Sequence, residues 1–268
     1  MTRALPDYAA RLDALHRALE DDFRGIVGKL PIAGGETIVD AGCGDGFFTG
    51  LIAERLANGQ VIGLDVSPAY LAAAAERLRE PIAQGRVLLQ QGDVNELPYE
   101  PATLDGIWSG HSMQSYEPIP HVLGEFRRVL RPGGWLAVLE TDNIHSIMLS
   151  WPPHLELAIR QAEDREIGDE DSYRGVYFPR FAPRLLRAAG FNDVQREYVF
   201  IHRQPPAGAA LETYIRLYVE HVLEQTGDRL SSAHRALAQE LADGDSPRFL
   251  PRQENFFFGS LQVLITAR

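Results

Sequence analysis

With 268 residues and 45% hydrophobic content, the chain is long enough to bury a full core as one large domain. Its 26 basic against 37 acidic residues give a net charge of −11 and a pI near 5.2, which repels a phosphate backbone and argues against nucleic acid as a partner. The single Cys43 excludes an internal disulfide framework, and with no zinc-type Cys/His spacing, signal-like leader or apolar run of about 18 residues, a cytoplasmic protein without a membrane span is expected.

Leu12, Leu15, Leu19, Phe23 and Val27 recur at spacings of three and four, which predicts an amphipathic helix over about 6–29. After it, TIVDAG, QVIGLD, RVLLQQGD, LDGIWSG and GWLAVLET are short apolar runs that end in Asp, Gly or Thr and read as buried strands. Helical stretches lie between them at 46–57, at 68–79 with Ser67 as N-cap and Pro68 at the first helical position, and at 118–130. Such alternation argues for a parallel sheet covered on both faces, with ligands held at the strands' carboxyl ends. From Asn143 the rhythm breaks into a helix near 147–165, the acidic stretch EDREIGDEDSY and a helix ending at Gly190. A sixth strand at about 194–202, a mostly helical stretch at 208–243 and a last strand in FFFGSLQVLIT complete the pattern. The expected organisation is one domain over 1–268, with an N-terminal helical cap (1–30), a ligand-binding core (31–142) and helical insertions at 143–190 and 203–252 that close over the sheet's ligand edge.

The first strand runs into Gly42, Gly44 and Gly46, for which a dinucleotide loop, a phosphate loop and a loop for a ligand without phosphate compete. A dinucleotide fingerprint needs glycine at its sixth place, where this chain has Phe47, and the GK[ST] phosphate signature is absent. Asp40, Asp45, Asp65 and Asp93 all fall at or just after strand ends on one edge. A phosphate about 4 Å from one carboxylate is repelled by roughly 4 kcal/mol at an effective dielectric near 20. The same edge suits a ligand with a sulfonium, an ammonium and ribose hydroxyls, the description of S-adenosylmethionine. Its carboxylate can meet the glycine turn and the helix N-terminus that follows.

VDAGCGDGFF, IGLDVSPAYLAAAAERL, LQQGDVNELPYEPATLDGIWSG and EFRRVLRPGGWLAVLE, in that order, resemble the class I S-adenosylmethionine-dependent methyltransferases, in particular their small-molecule, quinone-biosynthesis branch. The likeness covers about 36–142 and recurs at LLRAAGFNDV. It implies a Rossmann-like α/β fold with a seven-stranded, mostly parallel sheet, helices on both faces and a helical lid, and S-adenosylmethionine as cofactor. It further implies that Asp40, Gly42 and Gly44 line the cofactor's methionine portion and that Asp65 accepts hydrogen bonds from the ribose hydroxyls. Val66 would pack on the adenine, Asp93 would accept from its amino group, and Val94 would offer a backbone N–H. Ser109 and Gly110 would face the methionine amino group and the reactive methyl.

The activity so implied is transfer of a methyl group to a small organic molecule at O, N or C. Such a displacement needs alignment, exclusion of water and, for a protonated nucleophile, a base. His111, just beyond the fourth strand, is the candidate for both substrate contact and base, with His145 and Tyr116 as rivals. Asp142 and Asn143 resemble the metal-binding pair of catechol-type O-methyltransferases, but Ser109 stands where those enzymes place a further Asp, so no metal is expected. The insertions carry Trp151, Tyr173, Tyr177, Phe178, Phe181, Tyr214, Tyr218 and His221, of which Trp151, Tyr177 and Tyr214 are the substrate-pocket candidates. Arg174 and Arg180 are candidates for an acidic group, and Tyr8 for closing over the cofactor. Two alternatives stay open at this stage: an S-adenosylmethionine-binding protein that does not methylate, as a ligand sensor or a cyclisation or rearrangement enzyme, and a nicotinamide dehydrogenase. Oligomeric state is open.

Overall fold

The computed structural model describes residues 9–142, 146–164 and 177–268. The expected N-terminal helix divides into α1 (Ala9–Ala18) and α2 (Glu20–Val27) at Leu19, whose non-helical backbone (φ −122°, ψ 20°) turns a fully buried side chain into the core. Strands β1 (Thr37–Ala41), β2 (Gln60–Asp65), β3 (Val87–Gln91) and β4 (Leu104–Gly110) fall where the apolar runs predict them. The intervening helices are α3 (Phe47–Ala53), α4 (Pro68–Arg77), α5 (Arg79–Ala83) and α6 (Ile119–Val129). The predicted helix at 68–79 breaks at Leu78, which leaves the helical conformation to bury itself against Gly46 and Gly50. Strand β5 (Leu130–Thr141) starts four residues early, because Arg131–Gly134 form a bulge where its register against β4 slips.

Next come β6 (Met148–Leu149), α7 (Pro153–Asp164), α8 (Phe178–Ala188), β7 (Gln195–Arg203), α9 (Ala209–Thr226), α10 (Ser232–Ala242) and β8 (Phe258–Ala267). The sheet has eight strands rather than the seven expected, in the order β3-β2-β1-β4-β5-β8-β6 with β7 on the other side of β8. The additional strand is β6, two residues that pair with Gly259 and Phe258 beyond the reach of β5 and are too short to show a period in sequence. Strands β1 to β5 are parallel, and β8 is antiparallel to its neighbours.

Successive strand residues point to opposite faces. Ile38, Trp108 and Leu139 therefore join a core with α1, α2, α3, α7, α9 and α10, while Val39, Ile107 and Val138 join one with α6 and α8. Burial on both faces explains the nearly unbroken apolar runs. Strand order reverses at β1, with β2 on one side and β4 on the other, so the loops after β1 and β4 part there and leave a crevice at the carboxyl edge. No helix among the described residues is long and apolar enough to cross a membrane.

Candidate functional site

The turn after β1 holds Gly42, Gly44 and Gly46 at φ values of 68°, 54° and 81°, a left-handed region that costs other residues about 1–2 kcal/mol each. Gly42 and Cys43 donate to the Leu64 carbonyl at 2.8 and 3.0 Å, fastening the turn to β2. A Cβ at Gly42 would lie 2.6 Å from Tyr116 Oη, and one at Gly46 2.6 Å from Leu78 Cδ1, so packing requires both glycines. At Gly44 a Cβ would meet nothing within 4 Å, which leaves bare backbone facing a cleft of about 580 Å³.

Asp65 ends β2 and is 9% exposed. Its Oδ2 accepts from Gly44 N at 2.9 Å and its Oδ1 from Ser67 N at 2.8 Å, so one carboxylate ties the glycine turn to the start of α4. Ser67 in turn caps α4 by accepting from Tyr70 N. Val66 beside it is 66% exposed, an apolar side chain with nothing on it at the cleft wall. In the loop after β3, Asp93 Oδ1 accepts from Asn95 N and Nδ2 at 2.8 and 3.0 Å, and Val94 is buried.

Gly42, Gly44, Asp65, Val66, Asp93, Val94, Gly110 and His111 all line the cleft. Asp40 and Ser109 stand behind it. The Asp40 carboxyl accepts from Thr49 Oγ1 at 2.5 Å, and burial pushes its pKa up to about 7 against that bond, with Asp65 and Asp45 adding to the rise. Ser109 Oγ meets Ser112 Oγ at 2.9 Å. Trp151, Tyr177 and Tyr214, the pocket candidates from the insertions, do not line the cleft. Tyr214 on α9 is packed in the core, Trp151 lies half-buried against that core, and Tyr177 sits under the Arg180 guanidinium at 4.6 Å. Arg180 grips the Asp142 carboxylate with Nε and Nη2. Tyr8, Asn143, His145, Tyr173 and Arg174 lie outside the described residues.

His111 follows β4 with φ 54°, strained for a residue with a Cβ, and its N–H donates to the Leu139 carbonyl at 2.8 Å. Its Nε2 meets Gln262 Oε1 at 2.8 Å, Gln262 Nε2 donates to Ser260 Oγ, and Ser260 donates to the Ser146 carbonyl. That chain orients the Gln262 amide and assigns the proton of a neutral His111 to Nε2, leaving a lone pair on Nδ1. Nδ1 is buried and has no partner among the described residues. Burial lowers the His111 pKa, with the Gln262 bond opposing. Glu140 on β5 accepts from Met113 N at 2.7 Å and holds the loop after His111, and burial pushes its pKa up to about 8.

The cleft's remaining wall is aromatic and was not anticipated as such. Phe47 and Phe48 open α3, and His16 of α1 stacks on Phe47 with centroids 4.1 Å apart. The FF directly after the glycine turn was a visible signal, as was a histidine on the apolar face that Leu12, Leu15 and Leu19 define. Gln262, a fully buried polar residue in an apolar strand, was another. A second hollow of about 640 Å³ between α9 and α10, lined by Glu212, Arg216 and Arg252, lies away from the strand ends.

Comparison with known proteins follows the same lines. A family model described as a methyltransferase domain matches residues 39–138. A demethylmenaquinone methyltransferase of Symbiobacterium thermophilum is 31% identical over 213 residues, covering 72% of this chain and 85% of the relative. A 2-phytyl-1,4-naphtoquinone methyltransferase of Thermosynechococcus vestitus is 37% identical over 140 residues, 52% of this chain and 61% of the relative. Among solved structures, a SAM-dependent methyltransferase from Aquifex aeolicus shares the fold with a TM-score of 0.55 at 22% identity, over 74% of this chain and 93% of that one.

Proposed function

This chain belongs to the class I S-adenosylmethionine-dependent methyltransferases, and from that premise we propose that it methylates a small, planar, hydroxylated organic molecule of the quinol type. The observation that carries the reading is the Asp65 carboxylate, held by two backbone N–H groups at the edge of a cleft floored by bare Gly44 backbone. These residues fit the cofactor: a carboxylate for ribose hydroxyls, an exposed Val66 for the flat face of adenine, Asp93 and the Val94 N–H for the adenine edge, and Gly42, Gly44 and Gly110 for the methionine portion. Asp40 holds the turn through Thr49, and Ser109 holds the loop after β4 through Ser112, so both act by positioning. The relatives named as quinone methyltransferases support the acceptor class, and they favour methyl transfer over cofactor binding without it.

Bound S-adenosylmethionine supplies an electrophilic methyl on a sulfonium sulfur. The chain's own part is to align, to exclude water and to take a proton. For an acceptor methylated at oxygen, His111 Nδ1 would take the hydroxyl proton while the oxygen gains the methyl and the carbon–sulfur bond breaks to leave the neutral thioether, and the resulting imidazolium would return its proton to solvent. The buried, neutral ring is ready for that role at neutral pH without prior deprotonation. Residues 31–142 serve as the cofactor-binding part, and within the inserted segment at 203–252 α9 packs on α1 and braces the N-terminal cap. We place the reaction in the cytoplasm.

The test is transfer of labelled methyl from S-adenosylmethionine to a panel of naphthohydroquinones, with adenosylhomocysteine binding measured by calorimetry. Label in the hydroquinone product supports the proposal. Binding of adenosylhomocysteine with no label passing to any naphthohydroquinone of the panel would overturn the acceptor class.

A further inference from the structure

We propose that His16, on the N-terminal helix α1, is a substrate-binding residue that, together with His111, holds a hydroxyl group of the methyl acceptor. The inference rests on the reading of the cleft as a methyl-transfer site and adds to it a residue far from the sequence motifs.

His16 is 3% exposed, and neither of its ring nitrogens has a hydrogen-bond partner among the described residues. Two orphaned nitrogens on one buried ring are rare in native proteins, where a buried polar group is nearly always paired. Apolar packing does not require an imidazole here, since a phenyl ring would make the same stack on Phe47 and the same edge contacts to Phe23 (5.8 Å) and Phe48 (5.3 Å). Yet the residue lines the cleft, as does His111, and both rings pack on Phe23 and Phe48. Three orphaned nitrogens, both of His16 and Nδ1 of His111, are thus gathered at one aromatic wall.

The hydrogen-bond inventory decides what fits. Burial keeps His16 well below the ordinary imidazole range, and His111 and Arg77 act in the same direction, so near pH 7 the ring is neutral with one N–H and one lone pair. His111 offers a lone pair alone, because Gln262 takes its N–H. A hydroxyl complements the pair: it donates to the lone pair of His111 and accepts from the N–H of His16. A carboxylate has no proton to offer His111, and an ammonium, able only to donate, would leave the N–H of His16 unpaired. The flanking Phe47 and Phe48 favour a planar ring as the body carrying that hydroxyl.

The experiment compares the wild-type protein with His16→Phe, both saturated with adenosylhomocysteine, for binding of 1-naphthol and of 1-methoxynaphthalene. The variant should bind 1-naphthol at least about tenfold more weakly, the effect of one buried hydrogen bond lost, and bind the methoxy compound as the wild type does. In 15N-histidine spectra of the wild type, 1-naphthol should move the His16 ring resonances and 1-methoxynaphthalene should not. Equal 1-naphthol affinity in the two proteins, or His16 resonances unmoved by 1-naphthol, would overturn the proposal and leave His16 a packing residue. Failure of the wild type to bind adenosylhomocysteine would instead remove the cofactor reading on which the proposal stands, so the two failures are distinguishable.

Discussion

Replacing Asp65 by Ala tests the cofactor site most directly. The carboxylate already accepts from Gly44 N at 2.9 Å and Ser67 N at 2.8 Å, and the residue lines the cleft. Two charge-assisted bonds to a ribose diol, at about 1.5–3 kcal/mol each, amount to about 3–6 kcal/mol, or roughly two to four orders of magnitude in affinity. The substitution also frees two backbone donors that fasten the glycine turn, so part of any loss comes from a disordered turn and not from the ligand. A double cycle separates these: calorimetry with adenosylhomocysteine and with its 2′-deoxy analogue, on wild type and variant. Removing the 2′-hydroxyl should weaken binding to the wild type by at least about tenfold and hardly affect the variant. Equal losses in both proteins would show that Asp65 holds the turn without touching the ribose, and affinity within about threefold of wild type in the variant would refute the site altogether.

The glycine turn separates packing from binding. Gly44→Ala should cost only the about 1–2 kcal/mol of a left-handed alanine while weakening adenosylhomocysteine binding, whereas Gly46→Ala adds a methyl 2.6 Å from Leu78 Cδ1 and should lower the melting temperature more. A Gly46 variant as stable as the Gly44 variant would contradict this division. Glu140, with its folded pKa raised from 4.5 to about 8, keeps a proton that the unfolded chain has lost within that window, so its contribution to stability declines as pH rises through it. Glu140→Gln should flatten the stability profile between those pH values in denaturant titrations, and parallel profiles for the two proteins would refute the assignment. Tyr214→Phe should leave kcat/KM for the acceptor unchanged, because the ring lies in the core beneath α9 and outside the cleft. A tenfold fall would place that helix in the acceptor site after all.

The sequence by itself determined seven of the sheet's eight strands, its glycine turn and its row of carboxylates, because buried parallel strands must be apolar throughout and each motif sits within a few residues of a strand end. It also determined the family, since four such motifs stand in a fixed order. The tertiary structure alone decided what faces the cleft. Asp40 was legible as a strand-end acid, yet Thr49 and burial turn it behind the turn. Trp151, Tyr177 and Tyr214 carried the composition of an acceptor pocket, but helical period tells which face is apolar and not what that face meets. His16 and Gln262 lie 95 residues before and 151 residues after His111 in the chain, and only the packing of α1 over the cleft and of β8 beside β5 brings all three together. Contacts of that range depend on how whole elements close on one another, a property that no local spacing encodes.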